Sequence, residues 1–386
     1  MKRLKKRLKE CARNAGADLV GIATRNRLAD APASGNPTHV LPSARSVISF
    51  AVALDQKAAC SFIGKEDWLS HGEDRKTVVK RLYSIGDRLV SLLREEGVDA
   101  VNVDINNKYR LEEGAADVTE MTEFYPDFSH RYGAVAAGIG RLGWSGNLMT
   151  PEYGALVELG SVLTSLELEP DPLLEKNPCD GCKICSLVCP VGMISTRESV
   201  QVKVAGVIEE IARKRPNTCC WIGCSGYEGL SGDGKWSNWS PYRLGAPLPE
   251  EKGELDALCI KLQKADPLMQ AEENYFSDYR SAVFDPQWFY YTVCGFCRSA
   301  CSPDREERLE NRKKLHRSGV ATLRSDGMHV VAAKDTVELE TPFVVKVVVA
   351  RNDLDQFRKT DGTWGERSGK CPMDKEVLSY LIKRTR

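Results

Sequence analysis

The sequence predicts an α+β protein: an α/β layer domain followed by a cysteine-rich, ferredoxin-like domain. Three observations carry this reading. Helix-period and strand-period apolar patterns alternate from Leu4 to Ile105. Pro170, Pro172 and Pro178 then punctuate the chain. Beyond them stand two spaced cysteine runs, Cys179-x2-Cys182-x2-Cys185-x3-Cys189-Pro190 and Cys294-x2-Cys297-x3-Cys301.

Leu4, Leu8, Cys11 and Ala15 recur at helical spacing, which predicts an amphipathic helix with a basic outer face. Residues 18–23 predict a strand and 46–54 a second, buried one. Val78, Val79, Leu82, Ile85, Leu89 and Leu92 predict a helix over 76–96, stopped at Gly97. Residues 98–105 alternate as a strand. The order helix, strand, strand, helix, strand is that of an α/β layer. A glycine-rich stretch at 133–154 leads into a strand over 156–163. Residues 226–253, rich in Gly, Ser, Pro and Trp, predict a long ordered loop lining a site. A charged helix over 304–317, a strand over 344–350 and a basic-tipped helix close the chain. The expected division is 1–170, then 171–310 with an insertion at about 202–290, then a C-terminal extension at 311–386.

Lys and Arg total 54 and Asp and Glu total 54, so no whole-chain attraction to nucleic acid or anionic membrane is implied. Six of the first nine residues are basic, yet no apolar h-region follows them, and no stretch approaches the roughly 18 apolar residues of a membrane span. The expectation is a cytoplasmic protein with no membrane partner. Fourteen cysteines in such a chain point to thiolates on iron rather than to disulfides.

The spacing of the first run says which metal site. Gaps of two residues let one turn aim successive sulfurs at one cluster. The three-residue gap and the proline send the fourth sulfur to a different cluster, as in two-cluster ferredoxins. Zinc needs no such fourth cysteine. Two [4Fe–4S] clusters follow. One would take Cys179, Cys182, Cys185 and Cys301. The other would take Cys189, Cys294 and Cys297 and lacks a ligand, because the second run is incomplete. Cys219, Cys220, Cys224 and Cys259 lie between the runs, and the Cys219–Cys220 pair is favoured. Cys11 and Cys60 read as buried thiols.

Arg131-Tyr-Gly-Ala-Val-Ala-Ala-Gly-Ile-Gly140, then Arg141-Leu-Gly-Trp-Ser-Gly-Asn-Leu-Met-Thr-Pro-Glu-Tyr-Gly154, then Leu159-Gly-Ser-Val-Leu-Thr164 resembles the core of epoxyqueuosine reductases and reductive dehalogenases. Ala15-Gly-Ala-Asp-Leu-Val-Gly-Ile22 resembles the start of their domain. The likeness covers roughly 10–200 and 290–305. It implies a nitroreductase-like domain that holds a base-off cobalamin against the ferredoxin domain. On that implication Gly138, Gly140, Gly143, Trp144, Gly146, Asn147 and Tyr153 would contact the corrinoid, the glycines letting backbone approach a flat macrocycle. The corrinoid motif D-x-H-x-x-G is not in the chain, so none of the five histidines is expected on cobalt.

The likeness departs at one point. Where epoxyqueuosine reductases place an Asp proton donor, this chain counts to Phe124. Dehalogenases use a Tyr assisted by a basic residue, which makes Tyr125, Tyr153, Tyr109 and Arg110 candidates. A Tyr donor needs a nearby cation, Arg110 or Arg131, to lower its pKa from about 10. The expected function is a cobalamin-dependent iron–sulfur reductase acting on a small organic molecule. Its electrons would come from a reduced ferredoxin or flavodoxin, and nucleic acid is not an expected partner. The alternatives are an electron-transfer or corrinoid-activating protein, and epoxyqueuosine reductase acting on tRNA.

Overall fold

The computed structural model describes residues 2–105, 109–110, 125–240, 243–244, 247–265 and 293–323, with short strands at 329–332, 356–358 and 364–366. The strand over 344–350, the final helix, Cys371, Phe124 and the aromatic residues Tyr242, Trp288, Phe289 and Tyr290 lie outside the described residues.

The chain begins with α1 (Lys2–Asn14), β1 (Leu19–Thr24), β2 (Ser46–Ala53), α2 (Gln56–Ile63), α3 (Leu69–Glu95) and β3 (Ala100–Asn102). A two-residue ladder, β4 (Tyr109–Arg110) with β5 (Tyr125–Pro126), follows. Then come α4 (His130–Ala136), the small hairpin β6 (Arg141–Leu142) with β7 (Leu148–Met149), and β8 (Val157–Thr164). Four strands make one antiparallel sheet in the order β1-β2-β8-β3.

Both faces of that sheet are covered, and strand alternation divides its side chains between two cores. Ile48, Phe50 and Val52 meet Leu8 of α1 and Leu82 and Leu89 of α3. Val47 and Ala51 meet Ala134 and Ala137 at α4, together with Leu142 and Leu148 of the small hairpin. β2 and β8 are therefore almost wholly buried. Each such apolar side chain contributes about 1.5–3 kcal/mol. The helix predicted over 76–96 begins earlier, at Leu69, and the strand predicted over 98–105 shrinks to three residues.

The second half was read least well from sequence. After the short α5 (Ile184–Leu187), a long hairpin of β9 (Ile194–Val204) and β10 (Val207–Lys214) begins before the expected insertion and runs into it. It folds back over the glycine-rich segment. Glu209, 1% exposed, receives Arg141 Nε at 2.6 Å and Nη2 at 3.2 Å and the Leu142 N–H at 3.3 Å. Ala212 N–H donates to Trp144 O at 2.7 Å. Next come α6 (Asn217–Cys224), irregular chain, α7 (Lys252–Ala265), α8 (Phe296–Ser299), α9 (Arg305–Arg317) and the pair β11 (Val320–Leu323) and β12 (His329–Ala332). The expected loop at 226–253 is irregular where described and ends as α7 begins.

One buried carboxylate ties the sheet to the second cysteine run. Glu158 on β8 pairs with Arg75 of α3 at 3.2 Å and with Arg298 of α8 at 2.5 Å. Burial alone would raise its pKa, but Arg298 and Arg75 outweigh it and hold the carboxyl at about 2. A depressed carboxyl contributes stability at pH above its unfolded value of 4.5 and loses it as pH falls toward about 2. Glu158→Ala leaves two buried guanidinium groups facing each other and costs about 3–5 kcal/mol. Denaturant titration checks this, and the variant's stability loses its dependence on pH in that acid window.

Candidate metal centres

The two cysteine runs share one local design. Gly181 and Lys183 sit at φ 70° and 59°, and the one-turn helix α5 starts at Ile184, directly after Lys183. Gly295 sits at φ 111° between Cys294 and the one-turn helix α8. A left-handed residue followed by a single turn swings successive sulfurs to one side. The pair of short helices pack together.

Around the first run a small cavity of about 20 Å³ opens. Cys179, Cys182, Cys185 and Cys301 all line it. This is the set that the ferredoxin swap demands, and Cys301 comes from the distant run. Burial first, then the neighbouring Cys297, Cys179 and Cys182, pushes the Cys185 thiol up to about 12. Burial and Cys185 push Cys301 up as well. Thiolates crowded this way need a cation among them. The Trp144 N–H points at Cys179 Sγ from 3.3 Å. Arg308, 2% exposed, stands beside Cys182 and Cys301 and is held by Asp180 at 2.7 Å.

The second set gathers Cys189, Cys220, Cys294 and Cys297. Burial, then Cys294 and Cys297, raises the Cys189 thiol, with Cys220 adding to it. Burial, then Cys220 and Cys294, pushes Cys297 up to about 11. The Met193 N–H reaches Cys189 Sγ at 3.3 Å. Helix α6 carries Cys220 toward the others and, one turn on, Cys224, whose sulfur is hydrogen-bonded with both Cys220 and Cys294.

Cys219 has to be corrected. Neighbours on a helix point about 100° apart. Its buried thiol donates to Val191 O at 3.4 Å, away from the set. Cys224 sits one turn past Cys220 on the same face, with its sulfur 3.6 Å from Cys220 Sγ. Its hydrogen bond is the leading cause that brings Cys220 down to about 7, and the shared contacts with Cys220 and Cys294 raise Cys224 itself. Cys259 is buried beside Asp256. Among the described residues no group of three or more donors closes tightly enough to hold a single metal ion.

The residues expected to face a corrinoid are occupied by protein. Pro172 O lies 2.0 Å from where a Cβ on Gly138 would stand, and Met149 O lies 2.6 Å from that on Gly140. Gly143 abuts Cys179, and Gly146 abuts the Lys214 ammonium. Trp144 is 8% exposed, its indole N–H shared between Ser195 O at 2.9 Å and Ser186 Oγ at 3.1 Å. Asn147 reaches toward Cys297 Sγ at 3.9 Å. Gly143, Trp144 and Asn147 are walls of the first cavity. On the side where each Cβ would stand, Gly138 and Gly140 are packed against backbone and Gly143 and Gly146 against Cys179 and Lys214, so those sides are closed to a macrocycle.

The proton-donor candidates change too. Burial first, then the Asp18 and Glu152 carboxylates, raises the Tyr153 hydroxyl, the reverse of what a donor tuned by a cation needs. Arg110 and Tyr125 stand opposite each other in the β4–β5 register. Their side chains, and that of Tyr109, lie outside the described residues.

Fold and centres together define a class: a mixed α/β protein with two convergent cysteine sets, each drawing on both runs. The chain is related to epoxyqueuosine reductases, as the sequence likeness implied. It is 29% identical to the epoxyqueuosine reductase of Bacillus cereus over 163 residues, 41% of this chain and 38% of that protein. It is 26% identical to that of Bacillus subtilis over 218 residues, 50% and 51% of the two chains. A 71-residue stretch is 37% identical to that of Listeria monocytogenes, 18% of each chain. The chain thus spans about half or less of these curated relatives. No family model matches it.

Solved structures of similar shape include an epoxyqueuosine reductase with an epoxyqueuosine-modified tRNA stem loop, at 21% identity and TM-score 0.35 over 50% of this chain and 53% of that one. Another is a reductive dehalogenase described with a mechanism for B12-dependent dehalogenation, at 16% identity and TM-score 0.40 over 75% and 38%. Scores this low carry no functional argument. The expectation that nucleic acid is no partner is nevertheless overturned. The curated relatives are epoxyqueuosine reductases, and a protein of that name has been solved holding a tRNA stem loop.

If α6 supplies the remote ligand through Cys220, then Cys220→Ala drops iron from about eight to about four per chain. Cys219→Ala keeps it, and Cys301→Ala empties the first set alone. Colorimetric iron and acid-labile sulfide assays on anaerobically reconstituted protein read all three.

Proposed function

We propose that the chain is the iron–sulfur part of a reductase related to epoxyqueuosine reductases, holding two [4Fe–4S] clusters. The cavity ringed by Cys179, Cys182, Cys185 and Cys301 carries this reading, because four thiols from two runs meet there around a space rather than a point. The second cluster is assigned to Cys189, Cys220, Cys294 and Cys297. Bound there, the clusters supply one-electron transfer. The residues around them have separable tasks. Trp144 and Met193 N–H groups hold Cys179 and Cys189 in place. The packed Trp144 and Met149 keep water from the first cavity. Arg308 balances thiolate charge without leaving its Asp180 partner.

The division proposed is 1–170 as a nitroreductase-like unit and 171–310 as the ferredoxin-like unit, with 311–386 as an extension. The sheet's last strand, β8, ends at Thr164, which supports the first boundary. None of the thirteen described cysteines is in a disulfide, which suits a reducing cytoplasm. No described helix is long and apolar enough to cross a membrane. The substrate proposed is epoxyqueuosine in tRNA, following the curated relatives. A second reading is an electron-transfer protein that serves a separate corrinoid protein. The closed glycine-rich segment favours it.

One preparation tests these readings. Anaerobically reconstituted chain is expected to hold about eight irons and eight sulfides with a broad charge-transfer band near the visible edge. Zinc in place of iron, or about four irons at most, overturns the two-cluster assignment. Turnover of epoxyqueuosine-modified tRNA stem loop with added cobalamin and a chemical reductant supports the reductase. Full iron with no turnover, together with reduction of an added corrinoid protein, supports the electron-transfer reading instead.

A further inference from the structure

We propose that Lys214 sets the reduction potential of the second cluster by placing a fixed positive charge beside its sulfurs. The inference rests on the two-cluster reading and deepens it. Lys214 is the last residue of β10, where the register against β9 shifts between Ala212 and Lys214. Its neighbour Arg213 points outward, 64% exposed, and pairs with Glu198. Lys214 itself is half-buried, and its ammonium fills the room left at Gly146, whose φ of 73° is left-handed. Arg131 donates to Gly146 O at 3.2 Å, so a second cation stands next to the first.

What surrounds Lys214 is one-sided. Its ammonium lies against Gly146, next in sequence to Asn147, whose amide reaches toward Cys297 Sγ at 3.9 Å. Burial first and then Arg131 draw its pKa down to about 8, which leaves it charged at neutral pH, and Cys297, Cys220 and Cys185 act in the opposite sense. Two of those thiols belong to the second set and one to the first. The other guanidinium groups near the sulfurs are already balanced: Arg308 by Asp180 at 2.7 Å and Arg298 by Glu158 at 2.5 Å. Among the described residues no carboxylate balances Lys214 or Arg131. A half-buried ammonium beside another cation is unfavourable unless an anion faces it. The anion the geometry offers is the thiolate-bound cluster.

The physical consequence follows from charge alone. A cluster that accepts an electron gains one negative charge, and a fixed cation nearby stabilises the reduced form more than the oxidised one. The effect is stronger where water is partly excluded. Removing the charge makes the second cluster harder to reduce and affects the first cluster less, since only Cys185 of that set is a neighbour.

The test is a redox titration of the full chain, followed by electron paramagnetic resonance, with iron counted in every sample. Lys214→Gln is expected to keep about eight irons and to lower the reduction equilibrium of one cluster at least about tenfold, which is about 59 mV for one electron. Lys214→Arg restores most of the shift. Arg213→Gln, on the outward side of the same strand, leaves both potentials unchanged. Unmoved potentials in Lys214→Gln at full iron overturn the proposal, as does an equal shift in Arg213→Gln. Iron lost from Lys214→Gln, with Arg likewise failing to restore it, assigns the residue a structural role and overturns it too. A wild-type chain that binds no iron overturns the cluster reading itself, and that failure is visible before any potential is measured.

Discussion

Everything in the second half of this molecule answers to one requirement: a sulfur at Cys301 must reach a loop that begins at Cys179. Spacing within each run can be met locally, by a left-handed residue and one turn of helix. Convergence between runs cannot. It fixes how the intervening chain leaves and returns, and several contacts serve that return. The Ala155 N–H donates to Cys301 O at 2.8 Å, and Gly154, with φ 57°, lets that carbonyl come within 2.2 Å of its missing Cβ. Arg308 donates to Ser302 O and clasps Asp180 in the first run. Phe296 of α8 packs against Phe62 of α2, their rings tilted by 43° and 5.4 Å apart.

The same requirement explains the glycine-rich stretch. In the sequence it looks like a surface prepared for a ligand. In the fold it is a wall with protein on both sides, pressed between the Cys179 loop and the β9–β10 hairpin. The glycines admit backbone, as expected, but the backbone is the chain's own. Glu209 is the pin: buried, it takes both Arg141 and Asn177, so hairpin, wall and loop are held by one carboxylate.

What the sequence made legible was periodic or evenly spaced. The first helix, the two central strands and the three cysteines of the first run that line the first cavity could be read because each repeats on a short interval. Cys301 was placed by a rule about spacing, without any knowledge of the path between. The misses have other causes. The β9–β10 hairpin carries an alternating pattern from Ile194 and a turn at Ala205-Gly206, but that pattern lay across a boundary drawn from the cysteines. Cys219 and Cys220 are adjacent in sequence and cannot be told apart until a helix turns one inward. The four-residue spacing from Cys220 to Cys224 was readable and names Cys220 as its partner on one face. Lys214 carries no motif at all, and nothing in the glycine-rich stretch that Arg131 opens pairs the two. Their meaning lies in which carboxylates are missing around them, and only three dimensions show that.

Cys301 also bears on the order of events during synthesis. On the proposed ligand sets, the emerging chain offers three sulfurs of the first centre well before the fourth exists. At ribosomal speeds the gap is on the order of ten seconds. A delivery machine that meets the chain in that interval finds an open corner and the solvent-facing Gly181 loop. The chain from Cys189 onward must fold, and α8 must dock on α5, before the corner can close. On those sets the first centre is complete only once the two one-turn helices have docked.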